Sequence, residues 1–225
     1  MFPTIEIIPP PSWDPIDHAL DGLYMYDGLI FTSTNGVEYF FKRMEDGKTS
    51  PQDLKSKMIF AVGEKTKQAI EQHGLKVTAV PEKFTAFDLQ ILLEHEDISG
   101  KTFLFPRGNL GDDQLSGNLR ILGASVDSVI VYQTAKPKAE TVENIRELIF
   151  NHKIDAITFT SPSTFKNFAS LFSTQELHQL ATHTKLAAIG PVTAKAIEDG
   201  GLEADIIAKN SSVESLVEAI CSIGD

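Results

Sequence analysis

The chain has 225 residues, of which 42% are hydrophobic and 23% charged. That is enough for one large domain or two small ones, with a core that needs no metal or disulfide staple. A net charge of −11, with no basic grouping longer than Lys42-Arg43, argues against a nucleic-acid partner, and the single cysteine, Cys221, excludes an internal disulfide. No apolar run approaches the ~20 residues of a membrane span, and residues 1–11 lack the charged start of a secretory signal, so the expected location is the cytoplasm.

Residues 4–8 read as a strand that stops at Pro9-Pro10-Pro11. Tyr26-Asp-Gly-Leu-Ile-Phe-Thr-Ser33 follows as a strand and a turn. Val37, Phe40, Phe41 and Met44 then form an apolar stripe with helical spacing. Ala61-Val-Gly-Glu-Lys-Thr66 opens a second strand–turn–helix block that ends at Gly74. A third strand is expected at 77–80, and Thr85 is expected to cap a helix bearing Leu89, Leu92 and Leu93. After a strand at 102–106, Arg107-Gly108 opens a loop. A helix at 114–122 and a strand at 126–132 complete this part, and Tyr132 ends the last strand.

The first three blocks then recur. Ile154-Asp-Ala-Ile-Thr-Phe-Thr-Ser161 repeats the Asp, Phe, Thr and Ser of the block at Tyr26, and Phe165, Phe168, Ala169 and Phe172 repeat its helical stripe. Ala188-Ile-Gly-Pro-Val-Thr193 repeats the block at Ala61, a strand at 204–207 repeats the third, and Ser211-Ser212 repeat the cap. The insert at 102–132 has no counterpart after the second copy. Strands alternating with helices imply α/β architecture with parallel sheets. The expectation is two flavodoxin-like domains with a cleft between them: an inner domain over 12–131, and an outer domain combining 1–11 with 135–225. The crossings would lie at 9–11 and 132–138. By symmetry, a first strand and helix of the outer domain are missing.

Ligands of open parallel sheets bind beyond the carboxyl ends of the strands, where helix N-termini offer free N–H groups. The candidate binding residues there are Thr32, Ser33, Asn35, Gly63, Thr66, Arg107, Ser161, Ser163, Gly190 and Thr193. Taken singly, each Ser or Thr could be a helix cap and each Gly a turn residue; their recurrence at equivalent places favours binding. Such loops suit a ligand with several carboxylates or phosphates. The six histidines show no metal-ligand spacing, and no nucleophile elbow, Walker loop or dinucleotide fingerprint is present, so neither metal nor cofactor is expected. Tyr132 could donate a proton, or simply pack at the hinge.

Phe31-Thr-Ser-Thr-Asn-Gly36, Ala61-Val-Gly-Glu-Lys-Thr66, Phe105-Pro-Arg-Gly108, Val131-Tyr-Gln-Thr134, Phe159-Thr-Ser-Pro-Ser163 and Ala188-Ile-Gly-Pro-Val-Thr193 together resemble the uroporphyrinogen-III synthase family. The resemblance implies closure of hydroxymethylbilane to uroporphyrinogen III without a cofactor, in haem biosynthesis. Water is lost and ring D is inverted. It also implies Tyr132 as the general acid, with hydroxyls and backbone N–H groups binding the carboxylates. The chain departs from the family in lacking an initial strand with a Thr-Arg-Pro-like turn. A monomer is expected, or a part of a longer fused polypeptide. The alternative is a non-catalytic, two-lobed binding or regulatory module for a polyanionic small molecule.

Overall fold

Apolar runs alternate with amphipathic stretches along the chain, and the computed structural model realises them as strands and helices in a mixed α/β architecture with parallel sheets. It describes residues 2–81, 86–96, 98–111 and 113–222. The chain divides into two compact units, Ile7–Ala135, and Met1–Glu6 with Lys136–Asp225.

The first unit is built on five strands: β1 (Glu6–Ile8), β2 (Gly28–Phe31), β3 (Met58–Ala61), β4 (Thr102–Gly108) and β5 (Ser125–Ala135), in the order β1-β5-β4-β2-β3. The pairs β2–β3, β2–β4 and β4–β5 are parallel. Its helices are α1 (Asp14–Asp21), α2 (Thr34–Glu45), α3 (Glu64–Glu71), α4 (Ala86–Glu94) and α5 (Gln114–Ile121). Successive strand residues point to opposite faces, so Leu29 and Phe31 join Val37, Phe40, Phe41 and Met44 of α2 in one core. Ile30 joins Phe60, Phe103 and Phe105 under α4 and α5 in another. The strand expected at 77–80 shrinks to a single bridge, Phe60 to Ala79. Pro81 follows at once and has no N–H to extend the ladder. The Thr85 cap lies outside the described residues.

The N-terminal strand differs from expectation. Expected to serve the second copy's sheet, it instead lies at the edge of the first copy's sheet, beside β5. The hydroxyl of Tyr39 donates to the carbonyl of Ile7 at 3.1 Å, and the eleven-residue β5 offers a long edge for a short strand to cover. The unit boundary consequently falls at Glu6/Ile7, ahead of Pro9-Pro10-Pro11. Helix α1 was not legible as a separate element. Pro15 and the acidic Asp14 and Asp17 start it, and Arg43 of α2 grips Asp17 with two hydrogen bonds of 2.7 and 2.6 Å.

The second unit has α6 (Ala139–Phe150), β6 (Ala156–Phe159), α7 (Pro162–Ala169), α8 (Thr174–Ala181), β7 (Lys185–Ala188), α9 (Pro191–Asp199), β8 (Ile206–Ile207) and α10 (Val213–Cys221). The sheet order is β6-β7-β8, all parallel. Phe159, Phe165, Phe168, Leu186 and Ile197 form one core face; Ala187, Ile206 and Leu216 form the other. Among the described residues no strand pairs with the outer edge of β6, and Thr158 of that strand is exposed. His183 lies beyond the end of α8 and packs on His152, with ring centroids 4.3 Å apart. No helix among the described residues is long and apolar enough to cross a membrane.

Candidate active site

In the first unit β3 and β4 flank β2 on opposite sides, so the chain direction of travel reverses between β2 and β4. A crevice at the carboxyl ends of such strands is the usual ligand position in an open α/β sheet. There a cavity of about 180 Å³ is lined by Thr32 after β2, Phe105, Arg107 and Gly108 of β4, Tyr132 of β5, and Gln114 of α5, among others.

Each wall has a local cause. Ser33 adopts an extended backbone and its Oγ accepts the N–H of Gly36 at 3.0 Å, starting α2. Tyr132 does not end its strand, as expected from the sequence, because β5 runs on to Ala135. The parallel register also slips: Arg107 pairs with Ile130, but the next residue, Gly108, pairs with Tyr132. Val131 is therefore the extra residue of a bulge, and a bulge re-aims the side chains after it. Strict alternation would place Tyr132 with Ile130, on the face opposite Val131. The bulge instead brings Tyr132 against the same core as Val131. Its ring lies over Gly108, where an added Cβ would stand 2.5 Å from Cζ. Its hydroxyl is 3.2 Å from Ser33 Oγ, and its ring centroid is 5.9 Å from that of Tyr39. Asn109 fixes the loop that follows. Its N–H donates to the Tyr132 carbonyl at 3.2 Å, and its Oδ1 accepts from the Thr134 N–H at 2.9 Å.

Arg107 is 9% exposed and forms an ion pair with Asp113. A second tyrosine of this unit, Tyr26, shows why burial alone does not make a proton donor. It is buried, it donates to Asp127 Oδ2 at 2.8 Å, and its ionisation is pushed far up by that burial and then by the Asp127 hydrogen bond and charge.

Thr32, Ser33, Arg107 and Tyr132 thus come together, and Asn35 sits half-buried in the first turn of α2 nearby in sequence. At the second loop, Gly63 takes φ 90° and ψ 149°, a conformation open essentially to glycine alone. Thr66 and its counterpart Thr193, in the first turns of α3 and α9, are only 4% and 2% exposed. In the second unit Ser161 caps α7 by accepting from the Thr164 N–H at 3.1 Å, and its Oγ is 2.9 Å from the hydroxyls of both Ser163 and Thr164. Gly190 is in extended backbone and faces Ser211 Oγ. Sequence reasoning missed Asp113, and it missed Gly108 as the seat of the Tyr132 ring. The adjacency of Arg107-Gly108 to a loop was the available signal.

The family model described as uroporphyrinogen-III synthase HemD matches residues 1–218. The chain belongs to the uroporphyrinogen-III synthase family. The synthase of Chlorobaculum parvum is 33% identical over 98% of this chain and 87% of its own length, and that of Synechococcus elongatus is 30% identical over 97% and 83%. The crystal structure of the Helicobacter pylori synthase superposes with a TM-score of 0.57 at 22% identity, covering 97% of this chain and 90% of that one, a likeness of fold. Family membership makes the protein an enzyme acting on a small molecule.

Proposed function

We propose that the protein closes hydroxymethylbilane into uroporphyrinogen III, acting in the cytoplasm as a cofactor-independent lyase. The observation that supports this most is the placement of the Tyr132 phenol, seated on Gly108 and within hydrogen-bond reach of Ser33, in a crevice that also holds Arg107. Tyr132 protonates the departing hydroxyl of the bilane, which leaves as water as the ring-A nitrogen lone pair pushes through the ring to form an exocyclic C=C bond, giving an azafulvene cation. The substituted carbon of ring D attacks the resulting methylene and forms a spiro intermediate. That intermediate fragments and recloses at the alternative position, and the proton released on rearomatisation restores the phenol. Ser33 and the N-terminus of α2 orient the phenol. Thr32, Asn35, Arg107 and the backbone of the Gly63 loop hold carboxylates; Ser161, Ser163 and the Gly190-to-Thr193 turn of the second unit are helix starts of the same anion-binding kind.

The test is conversion of hydroxymethylbilane followed by chromatographic separation of isomers. The III isomer is expected in excess. Spontaneous closure gives the non-inverted I isomer, so folded protein that yields only isomer I contradicts the proposal.

A further inference from the structure

The Arg107 side chain is 10% exposed, whereas that of its ion-pair partner Asp113 is 77% exposed. The pair is not symmetric in space: Arg107 lines the crevice, while Asp113 lines a separate depression with Arg120 and Ser128. Asp113, which is not part of the crevice lining, holds Arg107 Nη1. It also stands at the N-cap of α5, yet its side chain makes no capping hydrogen bond. Its carboxylate serves the arginine instead of the helix. Arg107 Nε is one of two buried side-chain atoms among the described residues that have no hydrogen-bond partner. It faces Gly111, where an added Cβ would lie 3.5 Å away. Gly111, having no side chain, packs its backbone against this buried nitrogen.

A buried guanidinium with an idle donor is costly unless something else completes its hydrogen bonds. Next to it lies the start of α5, whose dipole favours an anion. We propose that Arg107 Nε and the first turn of α5 form a subsite for one carboxylate arm of the substrate, and that Asp113 is the positioning residue that aims the arginine at it. The planar fork of arginine gives such aiming its value: fixing one nitrogen fixes the directions of the others. This rests on the reading of the crevice as the bilane site, and it assigns Asp113 a part in binding, with no part in the chemistry.

The experiment follows the Arg107 ¹⁵Nε–H resonance during titration with propionate, alongside steady-state kinetics on hydroxymethylbilane. Propionate is expected to shift that resonance saturably in the wild-type protein, and acetamide, its neutral control, is not. D113A is expected to abolish the shift and raise KM about tenfold while kcat changes less than twofold, and D113E is expected to restore both. An unmoved resonance in the wild type, or a D113A protein with unchanged or lowered KM, overturns the proposal. Wild-type protein that shifts with propionate but makes no isomer III keeps the carboxylate subsite and removes the proposed function instead.

Discussion

Ser33 and Ser161 occupy the same place in the two copies of the repeat, and each caps a helix through its hydroxyl. Beyond that they part. Ser33 Oγ reaches the phenol of Tyr132, whereas Ser161 Oγ reaches only the hydroxyls of its own turn. The difference comes from what stands beside the repeat. In the first unit β4 lies next to β2 and β5 lies beyond β4, and together they deliver Arg107, Gly108 and Tyr132 to its end. In the second unit, among the described residues, β6 has β7 on one side and no strand on the other. Duplication supplied helix starts suited to binding anions; the unrepeated segment supplied the proposed acid and the buried cation.

The largest expected effect separates these contributions directly. Y132F should lower kcat for isomer III by about a hundredfold, ~2.7 kcal/mol on the barrier, with little change in thermal midpoint. S161A should leave kcat within a few-fold and raise KM. Equal losses of kcat in the two variants would erase the distinction between the copies.

One glycine from each unit should differ next. G108A forces a Cβ into the Tyr132 ring and should cost about 1–3 kcal/mol in urea unfolding, with loss of isomer III. G190A meets only Ser211 Oγ, which can rotate away, and should cost about 0.5 kcal/mol or less. A G108A protein as stable as wild type would show that the ring does not rest there.

The sheet faces supply a third contrast. Ile30 is fully buried, whereas its repeat partner Thr158 is exposed. I30T should lose about 2 kcal/mol, from missing methyl packing and a hydroxyl placed in an apolar core. T158I should change stability by less than about 0.5 kcal/mol. A strongly stabilising T158I would mean that the face of β6 is covered in solution.

The smallest effect is one the copies should share. S33A and S161A each remove a cap and should each cost about 1 kcal/mol, and only S33A should also shift the ratio of isomers III and I. Chromatography of both variants reads this, and a shift in S161A of the same size would place the phenol's partner in the wrong copy.

Much of this was legible beforehand for identifiable reasons. The stripe at Val37, Phe40, Phe41 and Met44 has helical spacing, and all four residues are buried. Ser33, Ser161 and Ser212 each precede such a stripe, and each caps it. Caps and stripes are local, so neighbouring residues suffice to specify them. The place of β1 was not local. Nothing in residues 4–8 says which of two sheets has an edge long enough to need them. The burial of Thr66 and Thr193 was equally hidden, because spacing alone does not tell which side of a first turn meets the core.

Tyr132 marks the division most sharply. The sequence by itself determined two copies of a strand–turn–helix unit, a segment between them without a counterpart, and a tyrosine in that segment. Period-two alternation would have sent that tyrosine to the face of Ile130. The register slip against Arg107 and Gly108 reversed it, bringing the ring onto a glycine and its hydroxyl to Ser33. A bulge forms where two strands of unequal demand share one ladder. That is a property of the pair, and only the tertiary structure brings the pair together.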